Sequence, residues 1–300
     1  LLSLLFMVLT LGLVAPALAQ DQAEEDKSFI EDWLQDNLSG AGRDVTVTGF
    51  RGALSSNATL ESLTIADEDG VWLTLRDASL VWSRSALLSG RLEVDELTAA
   101  EIILERLPDT GETVSPDNAE ATQFALPELP VSVNVELVQI ETVELGESVI
   151  GEPARLSLEG SANLADGQGA ANLAIQRLDR QDSLTFEGSF ENESRVLALD
   201  LDFQEGPEGI VSTLLGIPDT PALRLQVTGD APLSDFSARI LLSSDGQERF
   251  GGTVNVGAID GDDTQGYMFS ADLDGDLRPL FEEQFQPFFG EATALAVSGQ

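Results

Sequence analysis

Asp272, Asp274 and Asp276 alternate along the chain, and Glu283 lies eleven positions after the first of them. That spacing imitates positions 1, 3, 5 and 12 of the EF-hand loop, where carboxylate oxygens surround calcium. Leu277 stands at position 6, where the sharp loop turn needs Gly, and Pro279 falls inside the would-be loop. A strand end followed by a turn accounts for the segment better. Asp260-Gly261-Asp262-Asp263 reads in the same way, as an acidic hairpin turn. Asn57-Ala58-Thr59 and Asn192-Glu193-Ser194 satisfy the glycosylation sequon, which matters only in a eukaryotic secretory route. The chain has no His and no Cys. Ser-His and Cys-His nucleophiles, disulfides and thiolate zinc sites are therefore excluded. A carboxylate pair for glycoside hydrolysis cannot be chosen from 53 acidic residues without geometry. The sequence assigns no catalytic residue, no metal site and no cofactor.

Fifteen Lys and Arg against 53 Asp and Glu give a formal charge of −38. Such a chain repels a phosphate backbone, so nucleic acid is excluded as a partner. With 42% hydrophobic and 23% charged residues, it carries enough apolar side chain to fold. Its 300 residues allow one or two compact domains or an elongated array.

The elements that would position any site begin with Leu1 to Ala19, an uncharged apolar run followed by an acidic stretch. It reads as an export signal or an inner-membrane anchor, expected as a helix unpacked from the rest. Ala17-Leu18-Ala19 fits a signal-peptidase site, while nineteen apolar residues also suffice to span a bilayer. Without a basic flank or initiating Met, the protein's first residues are expected to precede Leu1. The chain beyond residue 20 is expected to be extracytoplasmic, and the lack of Cys suits a bacterial periplasm. Between Lys27 and Leu38, apolar Phe29, Ile30, Trp33, Leu34 and Leu38 recur at helical spacing, and Ser39-Gly40 ends the run. The acidic polar face of this helix favours packing on strands over lying on a membrane, so residues 27–39 are expected to cover one end of the β-structure.

From Val45 the period changes to two, as in Val45-x-Val47, Leu63-x-Ile65, Val71-x-Leu73-x-Leu75, Leu80-x-Trp82, Leu92-x-Val94 and Ile102-x-Leu104. Short turn sequences between these runs predict an antiparallel meander. Pro108 to Asn118 predicts a poorly ordered loop, after which alternation resumes at Val131-x-Val133-x-Val135-x-Leu137. Four later strands carry Gly in the apolar register, at Gly160, Gly188, Gly229 and Gly275. Since Gly inside a strand commonly marks a bend or bulge, they predict long strands of one strongly curved sheet. Val196 to Phe203 has Leu197, Leu199, Leu201 and Phe203 on one face and Ala198, Asp200 and Asp202 on the other. Pro207 to Gly216 and Pro279 to Phe289 predict two short helices. The expected divisions are 1–19, the signal or anchor; 20–41, the amphipathic helix and lead-in; 42–107, a first β block; 108–130, a Pro/Asp-rich loop; and 131–300, a β meander.

A dry sheet face must be covered, and helices are few. The pattern leaves two solutions open, closure into a sandwich or barrel and an open trough.

The chain resembles the TamB-like proteins of the translocation and assembly module, within the AsmA-like bridge proteins of the bacterial envelope. The resemblance is carried by Val45-Thr46-Val47-Thr48-Gly49-Phe50-Arg51-Gly52, Asp69-Gly70-Val71-Trp72-Leu73, Leu80-Val81-Trp82, Leu87-Leu88-Ser89-Gly90-Arg91-Leu92 and Leu126-Pro127-Glu128-Leu129-Pro130-Val131. It continues in Gly209 to Pro218, in Gly229-Asp230-Ala231-Pro232-Leu233 and in Asp274 to Leu280. It implies a mainly β fold: an elongated, curved antiparallel sheet forming an apolar trough, with an N-terminal hydrophobic helix and a few short helices. It also implies a non-enzymatic protein of the periplasm, anchored at the inner membrane through Leu1 to Ala19. Its implied work is phospholipid transport between the membranes, outer-membrane protein and autotransporter assembly, and protein secretion. Family members are far longer, so the 300 residues are expected to be an N-terminal portion. The implied Omp85-type barrel partner, TamA-like, would be met by a C-terminal region absent here. In a trough the floor must be apolar, and Leu199, Leu201, Leu225, Val227 and Ile240 are the expected floor positions for phospholipid acyl chains, each central in a strand. Two other readings stay open: a scaffold that engages nascent outer-membrane strands by edge pairing, and a secreted carbohydrate-active β-sandwich enzyme.

Overall fold

A computed structural model describes residues 44–52, 55–108, 125–127, 129–261, 264–290 and 292–299. The segment Leu1 to Ala19, the amphipathic stretch 27–39 with Trp33 and Leu34, residues 109–118 and the Asp262-Asp263 turn lie outside the described residues. Among the described residues no helix is long and apolar enough to cross a membrane.

The strands are β1 (Asp44–Thr48), β2 (Asn57–Asp67), β3 (Gly70–Ser83), β4 (Arg91–Leu104), β5 (Ser132–Leu145), β6 (Ala154–Ala165) and β7 (Gln168–Arg177). They continue with β8 (Ser183–Glu191), β9 (Val196–Glu205), β10 (Leu223–Pro232), β11 (Asp235–Ser244), β12 (Gln247–Gly261), β13 (Thr264–Gly275) and β14 (Thr293–Gly299). All fourteen pair in chain order into one sheet that is not closed, with β1 and β14 at its edges. Short helices, Arg84–Leu87, Glu147–Ile150 and Ile210–Leu214, occupy strand connections. The fold is thus mainly β, one open sheet rather than two stacked ones.

The expected all-antiparallel meander is broken once, because β4 and β5 are parallel. Leu104 ends β4 at one end of the sheet, while Ser132 starts β5 beside Arg91 at the other. Fourteen residues at about 3.4 Å separate those ends by nearly 50 Å. A hairpin cannot cover that distance, whereas a connection of a dozen or more residues can. The 27 residues between Leu104 and Ser132 are enough to join those ends.

Strict alternation also fails in β5. Val133, Val135, Val138, Ile140, Val143 and Leu145 share one face because the register shifts between Val135 and Val138 and again between Ile140 and Val143. Each shift places an extra residue in the strand and restores the apolar side chains to the same side. Val138, and not Leu137, therefore joins Leu92, Val94 and Val135 in their cluster. Two further clusters, around Val45, Val47 and Leu63 and around Phe190, Leu233 and Phe236, lie elsewhere on the sheet.

The glycines in the apolar register divide: Gly160 pairs with Val138 beside a register shift of β5 and Gly275 pairs with Phe250 beside one of β12, whereas the other two mark no bulge. Gly188 and Gly229 keep regular pairing with Leu199 on either side. A Cβ on Gly229 would sit 2.7 Å from the Phe236 ring, and one on Gly188 would sit 2.5 Å from the ring of Phe186. Their bare Cα atoms admit aromatic rings lying over the sheet. Gly252 is constrained by backbone instead, since its φ of +150° and its approach to the Asp272 carbonyl leave no room for any side chain. Gly252→Ala should therefore destabilise the protein by about 3 kcal/mol and lower its melting temperature by several degrees. Gly257→Ala, where the nearest atom would be 3.7 Å away, should leave the melting temperature unchanged.

Pro279 to Phe289 is not one helix but two single 3-10 turns, Arg278–Leu280 and Gln286–Phe288. Each carries its proline at the start, and Pro287, lacking an N–H, would break a helix begun at Pro279. Phe281 and Phe289 stack across the segment with ring centroids 4.4 Å apart.

Candidate functional site

The five expected floor residues come together on three adjacent strands. Leu201 of β9, Val227 of β10 and Ile240 of β11 are direct cross-strand partners in one line. Leu199 pairs with Gly229, and Leu225 with Phe203 and Leu242, on the same face. The line extends through Leu173 and Phe186 on β7 and β8, and through Gly252, Leu273 and Leu295 on β12 to β14. Eight strands at about 4.8 Å make a row roughly 34 Å long. One acyl chain fills half of a hydrocarbon core about 30 Å thick, or roughly 15 Å. The row can accommodate that length.

All five residues are half-buried although they lie well inside a fourteen-stranded sheet. Toward β14 the face is uneven: Leu273 is buried, whereas Phe269, Leu295 and Val297 are each more than 40% exposed. The opposite face is wet. Asp202 accepts from Arg224 Nε at 3.0 Å and from Gln226 Nε2 at 3.1 Å, and Asp200 and Thr228 are exposed. Hydrogen bonds from Arg224, opposed by desolvation, hold the Asp202 carboxyl below the usual carboxylate range.

Polar groups close the row's flank at one end of the strands. Arg177, 2% exposed, lies in the apolar register of β7 with Glu152 at 2.8 Å, Asp179 at 3.0 Å and Asp182 at 3.6 Å. Desolvation works against its charge, but hydrogen bonds to Asp179 and Glu152 outweigh it and raise the Arg177 pKa. Glu205, also in the apolar register, accepts from the backbone N–H groups of Val211 at 2.9 Å and Ser212 at 2.7 Å. Its carboxylate thereby caps the helix Ile210–Leu214, whose own N-cap is Gly209.

The Asp272 to Glu283 motif is a strand end followed by a turn and not a calcium loop. Asp272 and Asp274 are exposed on β13, where they pair with Ala296 and Ala294, and the Asp276 carboxylate is bound by Arg278 at 2.8 Å. Those hydrogen bonds lower the Asp276 pKa to about 2. A carboxyl 13C titration should give an Asp276 midpoint near 2, and Arg278→Gln should return it to the ordinary range. Among the described residues no three carboxylates converge as a metal-binding group. A shallow depression on the polar face is lined by Asn172, Glu187, Asp200 and Asp230 and lies open to solvent.

Comparison with known proteins adds no family: no family model, curated protein or solved structure matches the chain.

Proposed function

We propose that this chain is a non-enzymatic envelope protein whose sheet forms an elongated, curved trough carrying phospholipid acyl chains across the periplasm. One observation carries the reading: an apolar face runs in register across the sheet and stays half-exposed at Leu199, Leu201, Leu225, Val227 and Ile240. An apolar face left half-exposed over that extent suits an apolar ligand. An acyl chain fits because it needs only continuous hydrocarbon contact, while its headgroup remains in water. Each methylene kept out of water is worth about 0.8 kcal/mol, so a chain of about sixteen carbons faces a barrier on the order of 12 kcal/mol without such a surface.

In this reading Leu1 to Ala19 holds the protein at the inner membrane, and a TamA-like Omp85-type barrel is the partner at the outer membrane, served by a region beyond these residues. The transported phospholipid then supports outer-membrane protein and autotransporter assembly. The charge of −38 fits a passage between membranes, since it keeps the sheet from adhering to anionic headgroups along its length. The test is transfer of a fluorescent phospholipid from donor to acceptor vesicles. The chain should accelerate transfer in proportion to its concentration, and a rate equal to the protein-free rate would contradict the proposal.

A second reading, pairing of a sheet edge with nascent outer-membrane strands, is favoured by the openness of the sheet, whose strand β1 pairs on one side alone among the described residues. It requires a polypeptide, and not phospholipid, to be captured by the protein.

A further inference from the structure

Asn192, in the turn between β8 and β9, holds Leu126 with both ends of its amide. Its Oδ1 accepts from the Leu126 N–H at 2.8 Å, and its Nδ2 donates to the Leu126 carbonyl at 2.9 Å. A side chain here supplies the bond pair that one strand residue offers another. Leu126 packs against the cluster of Phe190, Leu233 and Phe236, whose partly buried members include the floor residues Leu199 and Val227. Two glycines shape the receptacle. A Cβ on Gly169 would sit 3.0 Å from Leu126 Cδ1, and a Cβ on Gly167 would sit 2.9 Å from Asn192 Nδ2. The end of the apolar face is thus fitted to an apolar side chain presented by an extended backbone.

The hold is narrow. Leu126 is half-buried between exposed Ala125 and exposed Pro127, and Pro127 has no N–H with which to prolong the pairing. Its two hydrogen bonds are only part-buried, so water can replace them at small cost when the segment leaves. The side chain itself is a short branched hydrocarbon, chemically equivalent to the end of an acyl chain.

We propose that Leu126 is a displaceable internal ligand: the subsite of Phe190, Leu233, Phe236 and Gly169 accepts either its side chain or the tail of an acyl chain lying on the floor. Docking of residues 125–127 and lipid loading then compete. This inference rests on the acyl-carrier reading and adds regulation to it. With residues 125–127 docked, one flank of the row is filled; with them displaced, the row gains that subsite.

The test uses the full chain and palmitoyl lysophosphatidylcholine below its micelle concentration. Leu126→Gly and Asn192→Ala should each bind this probe about tenfold more tightly than the parent. Because the chain has no Cys, Ala125→Cys can carry an environment-sensitive dye at a single position. Adding the probe should release the segment and lower the dye's fluorescence anisotropy. Asn192→Asp, which loses the donated bond and keeps the side-chain size, replaces Asn192→Ala if that variant does not show the parental circular dichroism. If the parent binds the probe and folded variants bind it no more tightly, with the dye unmoved, the competition is wrong and the floor reading stands. If neither the parent nor the folded variants bind it, the floor reading itself fails.

Discussion

Leu199→Asp should slow phospholipid transfer by about a hundredfold, while Asp200→Arg and Thr228→Arg leave it at the parental rate. Leu199 faces Gly188 and Gly229 across its two neighbouring strands, so a carboxylate there lies in the row with no cation beside it on either partner. An acyl chain passing it would have to strip water from that ion, at a cost of roughly 3 kcal/mol, which is about two powers of ten in rate. Leu225→Arg acts in the same direction but less strongly, because a long Arg can lift its charge out of the apolar surface. Asp200 and Thr228 alternate with the floor on exposed positions, where a new cation remains solvated. Gln226 is a poorer control than Thr228, since its amide binds Asp202. Circular dichroism matching the parent separates lost transfer from lost folding, and folded Leu199→Asp with parental transfer would remove the floor from the mechanism.

Arg177→Leu should destabilise the protein by about 3–5 kcal/mol at neutral pH, read as a lower urea midpoint. The substitution leaves Glu152, Asp179 and Asp182 facing one another without the buried cation that now lies within 3.6 Å of all three. The pH dependence gives a second handle. Hydrogen bonding from Arg177, opposed by desolvation, depresses the Asp179 pKa in the folded state. A depressed carboxylate contributes stability above its unfolded pKa, and that contribution is lost as pH falls through the folded value. The gap between parent and Arg177→Leu should therefore be widest near neutral pH and narrow in acid. A gap that is constant from pH 7 to pH 3 would mean that Arg177 acts through packing alone.

The period-two signal made the β class, the wet and dry faces and the floor register legible, because side-chain direction in a strand follows from chain geometry alone. Val196 to Phe203 needed nothing more. Pairing direction is not encoded in alternation, so the parallel β4–β5 pair was hidden in a connection that looked only like a loop. The bulges of β5 were hidden for a related reason: stepping by two selects Leu137, and only the partner strand decides that Val138 takes its place. Gly188 and Gly229 were visible, but the rings of Phe186 and Phe236 over them depend on rotamers that sequence does not carry.

Arg177, Asn192 and Glu205 did leave a trace. Each falls on the apolar register of its strand or the turn beyond it, after Leu173 and Ile175, after Phe186 and Phe190, and after Leu201 and Phe203. A polar residue in a dry register must find partners to fold. In the structure these three form the buried ion cluster, the clasp on Leu126 and the helix cap.

The most direct measurement places a photoreactive side chain at Leu201, Val227 or Ile240 in turn, and at Asp200 or Thr228 on the other face, in cells carrying the full protein. After irradiation, mass spectrometry identifies what is attached. The carrier account predicts phospholipid adducts from all three floor positions and none from the polar face. Adducts made only with polypeptide, or phospholipid captured equally from both faces, would contradict it.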